Sequence, residues 1–92
     1  MKRYIVECLY ADAEQILDEK LRSALYENPI DGAVEAASAD EAIEAVKDYI
    51  VQGMTANGAE YHRNENVLVF QDADGKPEHS FYSFRARELA DE

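Results

Sequence analysis

Cys8, His62 and His79 are the residues from which a nucleophilic centre would have to be assembled. A thiol ionises near neutral pH only beside a base or in a positive field. Cys8 stands mid-strand among apolar neighbours in a strongly negative chain, surroundings that raise a thiol pKa, so it reads as core filler. The three residues also lack the short ligand spacing of a zinc site. Asp72, Asp74 and Glu78 cluster around Gly75 as the opening residues of a calcium loop would. Such a loop needs glycine at its sixth position and a bidentate acid at its twelfth. Here Gly75 comes fourth and Ser83 twelfth, so the segment reads as a solvated turn. Glycine-rich phosphate loops, Ser-based triad motifs and HExxH helices are absent from the sequence. No catalytic residue, metal ligand or cofactor site is assigned, and the expectation is a protein that is not an enzyme.

The charge pattern stands above that background. Between Glu27 and Glu60 the acids Glu27, Asp31, Glu35, Asp40, Glu41, Glu44, Asp48 and Glu60 face only Lys47. Glu41, Glu44 and Asp48 follow helical spacing, which sets successive carboxylates about 4.5 to 6 Å apart along one face. Phosphates of a nucleic-acid strand rise about 3.4 Å per residue. A basic groove built for DNA or RNA would therefore accept such a face, and a solvated helix surface is the plainer alternative. A smaller basic patch is expected on the last strand, where alternation puts Phe81 with Arg85 and Arg87, and Arg63 nearby if strands pair in chain order. Arg and aromatic residues are enriched at interfaces, so this patch holds a partner or a second subunit, or else guards a sheet edge.

Composition agrees with a binding role and narrows it. Twenty Asp and Glu against nine Lys and Arg give 92 residues a net charge of −11. That field disfavours bare nucleic acid and anionic membranes and attracts basic proteins. A hydrophobic fraction of 47% is enough for a core, and the length suits one domain spanning residues 1–92. Cys8 is the single cysteine, and Lys2-Arg3 precede no cleavable signal pattern, which together suggest a reducing, cytoplasmic setting.

The elements that must position these residues follow from periodicity. Tyr4–Tyr10 alternates as a strand, with Tyr4, Val6, Cys8 and Tyr10 on one face. Asp12 and Gln15 form a capping box for a helix whose apolar residues Ala13, Ile16, Leu17, Leu21, Ala24 and Leu25 carry it to about Asn28, before Pro29. Residues 33–37 form a short strand after the Asp31-Gly32 turn. Ser38 and Glu41 make a second capping box, opening a helix with the apolar stripe Ala42, Ile43, Val46, Tyr49 and Ile50 that Gly53 and Asn57-Gly58 end. Residues 60–63 form a strand, Val67–Phe70 lies centrally in a sheet, Asp72–Gly75 turns, and a strand from His79 to Arg87 places Tyr82, Phe84 and Ala86 opposite Phe81, Ser83, Arg85 and Arg87.

The run Val34-Glu35-Ala36-Ala37-Ser38-Ala39-Asp40-Glu41-Ala42-Ile43-Glu44-Ala45-Val46-Lys47 resembles the strand, capping box and helix of DpnD/PcfM-like proteins, small proteins of bacterial mobile elements and restriction loci. The resemblance implies a bacterial or phage origin and no catalytic residues. The expected fold is α+β, a two-layer sandwich with both helices on one face of a three- to five-stranded sheet that ends in a C-terminal β-hairpin. The expected function is a non-catalytic protein-binding module, most concretely an acidic inhibitor or regulator of a basic nucleic-acid-binding protein, a DNA mimic of anti-restriction or anti-CRISPR type. Asp40, Glu41, Glu44, Asp48, Phe81, Arg85 and Arg87 are its candidate contacts. An accessory homo-oligomeric domain and a small metal-dependent sensor or enzyme are the alternatives.

Overall fold

In the computed structural model, residues 1–18, 20, 25–56 and 58–89 are described. Strand β1 (Lys2–Asp12) runs directly into a short helix, α1 (Ala13–Leu17). Strand β2 (Val34–Ala36) leads into the long helix α2 (Ala39–Thr55), and β3 (Glu60–Arg63), β4 (Val67–Gln71) and β5 (Pro77–Glu88) follow. The chain is thus α+β, with one antiparallel sheet of five strands in the order β2-β1-β5-β4-β3. The last strand in sequence is the middle strand in space. Arg85 and Arg87 therefore do not guard a sheet edge.

Alternation along β1 buries Tyr4, Val6 and Cys8, as their spacing predicts. Tyr4 and Val6 join Ala36, Leu68 and Phe70 on the sheet face that α2 covers with Ala42, Val46 and Ile50. Burial of such aliphatic and aromatic side chains is worth about 1.5–3 kcal/mol each before chain entropy is counted. Tyr49, expected in that stripe, is 62% exposed. The α2 cap is local chemistry. Ser38 Oγ accepts the Glu41 N–H at 3.2 Å, while the Glu41 carboxylate accepts from Ala37 N–H, one residue before the cap, at 3.2 Å.

The first helix is far shorter than its periodicity predicts. Asp12 and Gln15 form the reciprocal capping box, with bonds of 2.9 and 3.0 Å. The helix then stops at Leu17. Asp18 is extended, and its carboxylate accepts the Lys20 N–H at 3.0 Å, a local bond that competes with helical pairing. Further on, Glu27 pairs with Cys8 through backbone bonds of 2.8 and 2.9 Å. Glu27 thus forms an isolated β-bridge to β1, and residues 25–28 are not helical, so the expected helix does not reach Asn28. Leu17 and Leu25 of the expected stripe are exposed, and Leu21 and Ala24 lie outside the described residues.

The two helices do not share a face. Ile16 of α1 lines a hollow with Ala11, Val67, Val69, Ser80 and Tyr82, residues that alternate with the α2-facing Tyr10, Leu68, Phe70 and Phe81. Because β1 enters α1 without a loop, the helix is laid against the side to which Ala11 points.

The strongest departure from simple alternation lies in β5. Glu7 pairs with Arg85 but Leu9 with Tyr82, so Ser83 and Phe84 together oppose Cys8 in a β-bulge. Ser83 has φ of 54°, the left-handed region that ordinarily costs a non-glycine residue about 1–2 kcal/mol. Its N–H donates to the Asn66 carbonyl at 3.2 Å. The extra residue puts Phe81 and Phe84 on the same face, packed towards α2. Arg85 and Arg87 point the other way with Glu7. Ser83→Gly is expected to raise stability by up to about 1 kcal/mol, since glycine adopts this backbone without strain at some entropic cost. A lowered urea midpoint would show that the Ser83 side chain holds the bulge.

Candidate functional site

The outer side of α2 carries the acidic face. Asp40, Glu41, Glu44 and Asp48 are all exposed, and the first two follow the Ser38 cap, where negative charge suits the helix N-terminus. Glu65, in the turn after β3, borders the same surface with Asp40, Ile43, Glu44, Asn66 and Phe84.

Two cations organise these acids from beneath. Lys47, the single cation in the acidic run, is 1% exposed. Its Nζ donates to the carbonyls of Asn64 at 3.1 Å and Glu65 at 2.8 Å and to Glu44 Oε1 at 3.3 Å, and it lies 5.2 Å from the centre of the Phe84 ring. A buried ammonium needs such partners, because desolvation without them is costly. Arg63 spans two carboxylates, with Nη1 2.6 Å from Asp48 Oδ1 and Nη2 2.5 Å from Glu44 Oε2. The Arg63 bond, with help from Lys47, holds the Glu44 carboxyl below its ordinary range, and Asp48 and Glu44 in turn raise Arg63. Both pairs are partly solvated, so each contributes little to stability and much to fixing where the carboxylates stand.

The spacing of Lys47 carries a sign of its burial, since Ile43 and Ile50, four residues before and three after, flank it on the helix. Arg63 offers no such local sign. It reaches α2 only because β3 forms the edge of the sheet beyond β4, and it sits with the acidic face and not with Arg85 and Arg87.

The expected basic patch is divided by the bulge. Phe81 faces α2, with its ring 5.0 Å from Tyr10 and 6.2 Å from Phe70. On the opposite side of the sheet Arg85 binds Glu7 at 2.8 Å and stacks on Tyr26 at 3.5 Å, while Arg87 reaches Glu7 at 3.8 Å. Both arginines are committed within the chain.

Comparison with protein-family models, with curated proteins and with solved structures finds no match to this chain.

Of the remaining candidates for chemistry, Cys8, His79 and Asp72 have structural roles. Cys8 is buried, and desolvation, with a smaller contribution from Glu27, pushes its thiol up to about 12. Its neutral form is thus favoured by folding, a contribution fully present below the ordinary thiol pKa and lost as pH rises through about 12. Cys8 is expected to resist iodoacetamide at pH about 8 in the native protein and to react in denaturant. Rapid native labelling would reopen the nucleophile. His79 Nδ1 is bonded to the Tyr10 hydroxyl at 2.5 Å, and His62 is exposed on β3. Asp72 Oδ1 accepts the N–H groups of Asp74 and Lys76, each at 2.9 Å, so the turn consumes that carboxylate oxygen. Among the described residues no group of three or more His, Cys, Asp or Glu side chains is placed to hold a metal ion. No described helix is long and apolar enough to cross a membrane.

Proposed function

We propose that this chain is a non-catalytic protein-binding module whose α2 face engages a basic, nucleic-acid-binding protein, competing with DNA or RNA for it. The observation that carries the reading is the make-up of that face. Asp40, Glu41, Glu44, Asp48 and Glu65 outnumber Lys47 and Arg63, and both cations are held within the patch. The Glu44 and Asp48 carboxylates are thereby held in place while the surface stays net negative, as a polyanion mimic requires. The resemblance of residues 34–47 to DpnD/PcfM-like proteins falls on the strand, cap and helix that carry most of this face, and it supports an origin on a bacterial or phage mobile element.

The geometry also dictates how to test it. Reversing Glu44 or Asp48 would set a lysine against Arg63, so loss of binding would be confounded with damage to the fold. Asp40→Asn, Glu41→Gln and Glu65→Gln together leave those ion pairs intact, and a glutamine at 41 can still accept from Ala37. In affinity enrichment from bacterial lysate, wild type is expected to retain a basic nucleic-acid-binding protein that added DNA releases. The triple variant is expected to bind it at least about tenfold more weakly. Binding should also weaken steeply towards physiological salt, where the Debye length is about 8 Å. Asp31→Asn, Asp74→Asn and Glu78→Gln remove the same charge elsewhere. Equal loss in that control, or no displacement by DNA, sinks the mimic reading.

One observation favours the accessory, homo-oligomeric reading. The hollow of about 310 Å³ on the other sheet face, lined by Ile16, Val67, Val69 and Tyr82, is apolar and offers a surface for a second copy. Sedimentation across a concentration series decides it.

A further inference from the structure

A second surface, separate from the acidic face, lies at the other end of α2. There a cleft of about 520 Å³ opens between the helix and the loop at Pro29, lined by Tyr49, Ile50, Met54 and Phe81 with Gln52 and Gly53. Its size falls within the roughly 300–1,000 Å³ typical of binding clefts. Phe81 is held firmly. It stands edge-on to Phe70 at 6.2 Å and packs against Tyr10 at 5.0 Å, so this part of the cleft is preorganised.

Among the described residues, the charged side chains that strand pairing puts beside Tyr10 and Phe81 are acidic. Glu27 belongs to the Pro29 loop, and its pairing with Cys8 puts it on the sheet face of Tyr10 and Phe81. Asp12 ends the strand that carries Tyr10. Burial, and then both carboxylates, raise the Tyr10 hydroxyl above its ordinary pKa, and the Tyr10 ring lies 5.0 Å from that of Phe81. None of the lining residues is cationic, and the arginines and lysines in ion pairs are engaged elsewhere, with Glu7, Glu44, Asp48 and Glu88. An apolar surface with an anionic rim disfavours nucleic acid, acidic peptides and a second copy of a chain of charge −11.

We propose that this cleft binds a basic segment of a partner protein, with an apolar side chain of that segment seated on Phe81 and its flanking Lys or Arg side chains facing Asp12 and Glu27. The inference rests on the protein-binding reading above, and it is independent of nucleic-acid mimicry. It supplies that reading with a second, apolar anchor, the kind of contact that carries binding energy while exposed charges mainly steer encounter.

Gly53 provides the test. Gly53 lines the cleft, a Cβ built on it meets nothing within 4 Å, and its φ is not in the left-handed region, so a larger side chain starts there in open space beside the cleft. Leucine is also a better helix former than glycine. The probe is a short fluorescein-labelled peptide with a central Leu-Trp pair flanked by lysines, read by fluorescence anisotropy at low salt. Wild type is expected to bind it. An Ala-Ala centre, or glutamines in place of the lysines, should each weaken binding by at least about tenfold. Gly53→Leu should do the same while melting at or above the wild-type temperature. Asp40→Asn, Glu41→Gln and Glu65→Gln together should leave peptide binding within about twofold, because they lie at the other end of α2.

No binding by wild type, undiminished binding by Gly53→Leu, or equal binding of the glutamine peptide each overturns the proposal. Self-association that Gly53→Leu abolishes also overturns it, by assigning the cleft to a second copy. Peptide binding that behaves as expected, beside a partner that DNA does not displace, leaves the cleft standing and removes the mimic. DNA-displaced partner binding that Gly53→Leu does not touch does the reverse.

Discussion

Lys47→Ala is expected to destabilise the protein by about 3–5 kcal/mol, enough to unfold many domains of this size. Two losses combine. Lys47 is 1% exposed and reaches the Phe84 ring, so truncating its stem leaves a cavity beneath α2. The ammonium also ties the carbonyls of Asn64 and Glu65 to the helix, and these lose their donor. An unpaired buried acceptor costs about 1–3 kcal/mol, less where water reaches it, as it can in this exposed turn. Lys47→Met separates the contributions, since it keeps most of the stem and removes the charge. Its expected cost is about 1–2 kcal/mol, because losing the bonds is offset by no longer burying a cation. Urea denaturation of the three proteins decides the matter. A Met variant as unstable as the Ala variant would assign the effect to the hydrogen bonds alone, and an unchanged Ala variant would mean that Lys47 is not a structural clamp.

The same lysine shows why part of this molecule is legible in its sequence and part is not. The features that follow from neighbours a few residues apart were readable: the Asp12 and Ser38 caps, the alternation that buries Tyr4, Val6 and Cys8, and the turn at Asp72. Each depends on bonds or burial that repeat with the local period. Helical spacing puts Lys47 beside Ile43 and Ile50, but lysine is rarely buried, and it is the distant carbonyls of residues 64 and 65 that stabilise its ammonium there. Arg63 is placed by sheet order, which no local pattern encodes. The split between Phe81 and the arginines depends on Ser83, and a serine carries no mark of a left-handed backbone as glycine would. The end of α1 is the converse case. Periodicity favours a longer helix, yet the Asp18 side chain and the pairing of Glu27 with Cys8 divert the backbone. For the candidate site, the acidic run on α2 was visible as charge, but its internal ion pairs and the cleft on Phe81 arise from contacts between distant segments.

Phe70→Ala is the other substitution with a large expected effect, about 3–5 kcal/mol, the range for truncating a buried phenylalanine. Phe70 is fully buried in β4, and its ring joins two neighbours: Tyr61 across the β3 pairing, with centroids 6.0 Å apart, and Phe81 across the β5 pairing, edge-on at 6.2 Å. Each aromatic contact adds about 0.5–1.5 kcal/mol beyond area burial. Tyr61 is exposed, so Tyr61→Ala is expected to cost far less, about 1 kcal/mol or below. If the rings act as a connected row, the double variant should be more stable than the sum of the single losses implies, since the Tyr61 contact is already gone once Phe70 is removed. Phe70→Leu keeps most of the volume and should retain a cooperative transition at a cost of about 1–2 kcal/mol. That milder variant matters for function, because Phe81 would lose its edge-on partner while the fold persists. Weaker binding of the lysine-flanked peptide by Phe70→Leu, with binding retained by Tyr61→Ala, would show that Phe70 acts on the cleft by holding Phe81. Unchanged affinity would mean that Tyr10 alone suffices to orient Phe81, leaving Phe70 a purely structural residue.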